Sequence, residues 1–194
     1  MAEKPTKQTT LTELFDKFIK TVDPDPMREG VAETPARVAK AWGTIAGGYE
    51  KDPLELLKTF EDGAQGYDEM ILVKDYPFWS TCEHHLLPIF GRATIAYIPK
   101  DRVLGLSKLP RVLEVFARRL QTQERLTAQV ADCLFDNLRP RGVGVLIRAR
   151  HACMEARGVC QHGHTTTTSA LRGVMYSGEP RAEFLALGKS DVPI

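Results

Sequence analysis

The sequence predicts an α+β fold: helices first, then an antiparallel ββααββ core, then a short closing helix. Three observations carry this. Between Met70 and Pro99 the apolar residues become β-branched and aromatic, with turn residues between them. From Gly105 to Leu138 they fall instead into two stripes at helical spacing, Val112, Leu113, Phe116, Leu120 and then Leu126, Val130, Leu134, Leu138. Val143–Ala152 and the Thr-rich Thr165–Met175 then return to strand character.

Each element has a local cause. Residues 1–7 are polar and charged and predict a disordered lead-in. Leu11, Leu14, Phe15 and Phe18 make an amphipathic helix of about ten residues, which Asp23-Pro24-Asp25-Pro26 breaks. Thr34 as cap and Pro35 in the first turn start a second helix, and Gly47-Gly48 end it. A short helix is expected over 53–60. Strands near 70–80 and 90–98 form a hairpin whose loop carries Cys82, Glu83, His84 and His85. The polar run Gln121-Thr122-Gln123-Glu124 splits the helical region into two helices, and Pro140-Arg141-Gly142 closes the pair. A last helix is expected near 180–187. The organisation read from this is an N-terminal helical extension over 1–66 and a catalytic domain over 67–194.

Composition narrows the function. With 26 Lys+Arg against 25 Asp+Glu in 194 residues, the net charge of +1 offers no field for nucleic acid or anionic lipid, so neither is an expected partner. No apolar run approaches the ~18 residues of a membrane span, and the opening MAEKPTKQTT lacks the apolar stretch of a secretory signal. A cytoplasmic protein is expected. Its four cysteines are too few and too scattered for a disulfide-built fold.

Cys82 and His85, two residues apart in a loop, can close on one zinc ion. Cys153 lies beyond a predicted strand end, two residues after His151. Three protein ligands with an open fourth position describe a catalytic zinc; scattered core cysteines are the plain alternative, and spacing leaves the two level. His84 and His151 neighbour those ligands and could carry protons near neutral pH, or be ordinary hydrogen-bonded histidines. Ser107, Lys108 and Arg111 precede or open a helix, where a hydroxyl, two cations and free N–H groups can cradle phosphate. The alternative is a capping serine with two solvated cations. Arg157 can add a cation from the second loop. Gln123 and Glu124 start a helix, where a carboxylate beside an amide can read a guanine edge, or simply favour the helix dipole. Cys160, His162 and His164 alternate along one extended segment, a weaker metal motif. Cys133 reads as a buried small hydrophobe.

CEHHLLP at 82–88, GRATIAYIPKDRVLGLSKLPR at 91–111, RRLQTQERLT at 118–127, ARHACMEARGV at 149–159 and TTTTS at 165–169 resemble, in this order, the GTP cyclohydrolase I family. The likeness reaches back to ETPARVAK at 33–40. It implies the tunnelling fold and a zinc enzyme that converts GTP to 7,8-dihydroneopterin triphosphate and formate, the first step of pterin and tetrahydrofolate biosynthesis. By motif, the resemblance assigns zinc to Cys82, His85 and Cys153, with Glu83 and His84 completing the signature. It sets His84 at the reactive purine edge and gives His151 proton transfer to the imidazole ring. Gln123 and Glu124 become the guanine-recognising pair, with Glu124 as anchor. Ser107, Lys108, Arg111 and Arg157 become triphosphate contacts, and Arg37 and Lys40 become cations supplied by a neighbouring subunit. It therefore implies shared active sites in a homodecamer of two face-to-face pentamers. The Cys160–His164 segment, and Gly173-Val174-Met175 in place of Gly-x-Phe, depart from the family pattern. Two rivals remain at this point: a tunnelling-fold nitrile reductase, which wants a cysteine nucleophile and NADPH, and a paralogue that binds GTP without turnover.

Overall fold

The structure, a computed structural model, describes residues 6–61 and 65–194. Residues 1–5 of the predicted lead-in lie outside the described residues. Two compact units divide at Gly47/Gly48.

The first unit contains α1 (Lys7–Val22), α2 (Glu29–Ala32) and α3 (Thr34–Ile45). α1 is longer than its apolar stripe predicts because the Thr6 side chain accepts from Thr9 N at 3.2 Å, capping the helix a turn early. The chain turns extended at Asp23, and Pro35 occupies the first turn of α3 as expected. The cap position there is Glu33 rather than Thr34. Pro35 and Ala39 are the buried residues of α3.

In the second unit, residues 53–56 form one 3-10 turn, capped by the Asp52 carboxylate accepting from Leu54 N at 2.9 Å. The helix expected through Phe60 stops there. Thr59 and Phe60 are a β-branched and an aromatic residue, and they form β1 (Thr59–Phe60). After it come β2 (Ile71–Cys82), β3 (Pro88–Ile98), β4 (Val103–Leu104), α4 (Lys108–Ala117), β5 (Leu120–Gln121), α5 (Gln123–Leu138), β6 (Gly142–His151), α6 (Ala152–Glu155), β7 (Thr166–Gly173) and α7 (Gly178–Leu187). β1 pairs with β4, and Leu56 and Leu57 pack against the main core. Residues from Gly48 onward thus group with the sheet-bearing unit, earlier in the chain than the 66/67 boundary read from sequence.

The main sheet runs β5-β2-β3-β6-β7, antiparallel except for β5, which lies parallel to β2. Leaving out the two-residue strands, the order is the expected ββααββ. Val143, Val145, Ile147 and Ala149 alternate along β6 and are fully buried. They share a core with Leu109, Val112 and Leu113 of α4 and Leu126, Val130 and Leu134 of α5. A smaller cluster contains Ala96, Ile98, Leu171, Met175 and Phe184 of α7.

Register places the site. Thr81 lies opposite Pro88, Ile89 opposite His151, and Cys82 beside Gln121. The end of β2, the start of β3 and the end of β6 therefore meet at one rim of the sheet. Gly91, facing Ala149 in that region, lets the strands approach: a Cβ there would sit 2.0 Å from Arg148 O and 2.6 Å from Ala149 Cα. Both obstacles are backbone. Gly91→Ala should cost about 3 kcal/mol or prevent folding; an unchanged thermal unfolding midpoint would refute this close packing. Among the described residues no helix is long and apolar enough to cross a membrane.

Candidate active site

Cys82 ends β2, and the chain doubles back at once. Leu86 N donates to Cys82 O and Cys82 N donates to Leu87 O, both at 2.8 Å, with Leu86 in the left-handed region at φ 56°. This tight turn holds the Cys82 and His85 side chains on one side, with Cys82 Sγ 3.8 Å from His85 Nδ1. Cys153 arrives on α6, directly after β6. The ligand atoms of Cys82, His85 and Cys153 all lie within 4.8 Å of one another.

Two sulfurs and one imidazole are a donor set suited to zinc, and three ligands leave a fourth position for a reacting molecule. Cys82 is buried, Cys153 half-buried and His85 exposed, so the group opens to one side. Burial, then the neighbouring Cys82 thiol, pushes the Cys153 thiol up. A metal binds the thiolate form, so metal uptake here is coupled to proton release. Cys133 differs: burial pushes its thiol up to about 11, and it stays inert in the core, as expected. Among the described residues Cys160, His162 and His164 form no such group. Cys160 and His162 are exposed, and His164 is half-buried with neither ring nitrogen hydrogen-bonded.

His84 is exposed, its Nδ1 3.9 Å from Cys82 Sγ, but it stands outside the three-ligand group. His151 ends β6, half-buried, with Nε2 2.7 Å from Gln123 Oε1. Burial lowers its pKa below the usual imidazole value, and the Glu124 carboxylate opposes that shift. Glu124 is exposed at the start of α5. With Thr127, Thr168, Arg172, Tyr176 and Arg181 it lines a cleft of about 400 Å³, room for a nucleobase.

Gln123 differs from the sequence reading. Its side chain is buried and fully engaged: Nε2 donates to Ile147 O, Thr166 O and Thr168 Oγ1 at 3.0–3.1 Å, while Oε1 meets His151. The side chain has no amide proton left for a base edge.

The cations divide into separate groups. Arg157 is exposed beyond α6, near enough to Cys153 to act on its thiol. Ser107 and Arg111 are exposed and Lys108 half-buried at the start of α4. All three stand at the N-terminal part of α4. Arg37 and Lys40 lie on α3 in the first unit, both exposed, with Arg37 paired to Glu33.

Arg125 is a residue of the site that sequence reasoning missed. Its guanidinium pairs with the Glu83 carboxylate and donates to Gln121 Oε1 and Leu120 O, both at 3.0 Å. It thereby ties the ligand loop to the start of α5 and holds the Glu83 carboxyl below its usual range. No local signal marks this pair, since its members are distant in sequence.

A two-thiol, one-imidazole group open on one side, a half-buried histidine and a base-sized cleft with a carboxylate fit one class of protein, enzymes that act on a small ring compound at a group able to hold a metal. The model of the GTP cyclohydrolase I family matches residues 11–189. A protein of Nitrosospira multiformis called GTP cyclohydrolase 1 is 50% identical over 177 residues, 91% of this chain and 93% of its own. Another so called, from Chlorobium phaeovibrioides, is 51% identical over 179 residues, 92% of this chain and 80% of its own. A crystal structure of the archaeosine synthase QueF-Like in the apo form covers 54% of this chain and 93% of its own, at 15% identity and a TM-score of 0.42. The chain belongs to the GTP cyclohydrolase I family, with a ββααββ core, and its enzyme class is GTP cyclohydrolase.

Proposed function

We propose that this chain hydrolyses and rearranges GTP to 7,8-dihydroneopterin triphosphate and formate with zinc held by Cys82, His85 and Cys153, and so opens pterin and tetrahydrofolate biosynthesis. The observation that carries the reading is the gathering of those three ligand atoms within 4.8 Å. When bound, zinc supplies a nucleophilic water at neutral pH, lowering its pKa from ~15.7 to about 7. The chain's own residues do the rest. Glu124 accepts from the guanine N1–H and exocyclic amine, orienting the base in the cleft. His151 donates a proton to N7 as C8 is attacked, and His84 faces the same reactive edge. The attack opens the imidazole ring to a formamide. A second hydrolysis releases formate, and the freed ribose rearranges and closes onto the amine. Arg157, with Ser107, Lys108 and Arg111, holds the triphosphate so that C8 stays in place.

The assembly belongs to the same reading. Membership of the GTP cyclohydrolase I family supports a site completed by a neighbouring copy. We read Arg37 and Lys40 as that neighbour's further contribution and the assembly as a homodecamer. A monomer in sedimentation that still turns over GTP would overturn the sharing. Free thiols at Cys82 and Cys153 suit a reducing, cytoplasmic setting, and neither nucleic acid nor membrane is a partner in this reading.

The test is to incubate zinc-loaded protein with GTP and follow formate and pterin absorbance together. Both signals should vanish with chelator and return with zinc; neither, from an oligomeric zinc-containing protein, would leave a GTP-binding paralogue. Glu124→Ala should then erode the preference for GTP over ATP by about tenfold or more, since each unpaired base donor costs about 1–3 kcal/mol. Unchanged discrimination would mean that the base is read elsewhere.

A further inference from the structure

We propose that Gln123 is a positioning residue, holding His151 in the tautomer protonated at Nε2 so that Nδ1 is the ring nitrogen that exchanges its proton with substrate. The second half rests on the reading of His151 as proton carrier; the tautomer follows from hydrogen bonds alone.

Gln123 Nε2 lies 3.1 Å from Ile147 O, 3.0 Å from Thr166 O and 3.1 Å from Thr168 Oγ1. Two of these are carbonyl oxygens, which only accept, so the NH₂ end of the amide faces them. The reverse orientation would set Oε1 against both. Oε1 therefore faces His151 Nε2 at 2.7 Å. An amide oxygen cannot donate, so His151 Nε2 carries a proton whether the ring is neutral or cationic.

The surrounding hydroxyls run in a consistent direction. Thr127 Oγ1 donates to Gln123 O at 2.7 Å, and Thr168 Oγ1, having accepted from Gln123, donates its own proton to Thr127 Oγ1 at 2.7 Å. Gln123 and Thr127 are each 1% exposed, so water does not compete for these partners. The network ties α5, β6 and β7 together behind the ring. His151 thus depends on a residue from another element for the identity of its reactive nitrogen, as a ligating or catalytic imidazole commonly does.

Two measurements decide this. The first uses zinc-loaded wild-type protein without nucleotide, labelled with ¹⁵N-histidine, in solid-state NMR at about pH 9, above the usual imidazole range. His151→Asn identifies the signals. The expected result is a protonated Nε2 and a bare Nδ1; the opposite tautomer overturns the proposal. The second is the kinetics of Gln123→Met, which keeps the length and removes the acceptor. With zinc content retained, kcat should fall about 10²-fold while KM for GTP stays within about threefold. A raised KM with unchanged kcat would return Gln123 to base reading and overturn the positioning role. If Gln123→Met does not fold, the tautomer measurement still decides. If wild-type protein makes no formate, the proposed reaction fails while the tautomer assignment stands or falls separately.

Discussion

Cys153→Ser should lose zinc and turnover together. Serine keeps the size but replaces a soft thiolate with a hydroxyl that stays protonated at neutral pH, and the Cys82–His85 pair then offers only two strong donors. The variant should fold, because Cys153 is half-buried at the start of a four-residue helix rather than part of the deep core. Metal analysis after dialysis should find little zinc, and formate release should drop at least about a thousandfold, the loss of several kcal/mol of nucleophile activation. Cys133→Ala is the control. Its thiol is buried among apolar side chains and belongs to no ligand group, so zinc should remain stoichiometric. Stoichiometric zinc in Cys153→Ser would sink the ligand assignment.

His151→Ala should separate metal binding from proton transfer. The imidazole is not one of the three grouped ligands, so zinc content should match wild type. Formate release should fall about 10²–10⁴-fold, the usual worth of a positioned general acid. The truncation also leaves Gln123 Oε1 without its partner, a cost that shows as a lower melting temperature rather than as lost metal. Wild-type formate production in this variant would remove His151 from the chemistry.

The fold was legible where its causes are local. The alternation in Val143–Ala149 and the stripe from Leu126 to Leu134 reappear as elements in the expected order, while the break expected at Gln121–Glu124 falls earlier, over 118–122, with Gln123 and Glu124 already in α5. Helix ends were less legible. Thr6 lengthens α1 through a side-chain cap, and 53–60 became a turn and a strand because β4, remote in sequence, supplies its partner. The candidate site divides in the same way. Cys82 and His85 announce themselves by spacing, because one turn holds both. Arg125 and Thr168 do not, because their partners Glu83 and Gln123 lie about 40 residues away and meet them only through contacts between different elements.

Spacing within a loop and periodicity along a strand or helix act over a few residues, so the sequence alone could specify the element order, the Cys82–His85 pair and the inert burial of Cys133. Cys153 was a candidate ligand by sequence, but its approach to Cys82 and His85 and the partner of His151 came only from tertiary structure. β3 pairs with β2 on one side and β6 on the other, and that register carries Cys153 to Cys82 and sets His151 against Gln123. Which distant groups meet is decided by strand register and by the face each helix buries, and both are properties of the whole chain's packing.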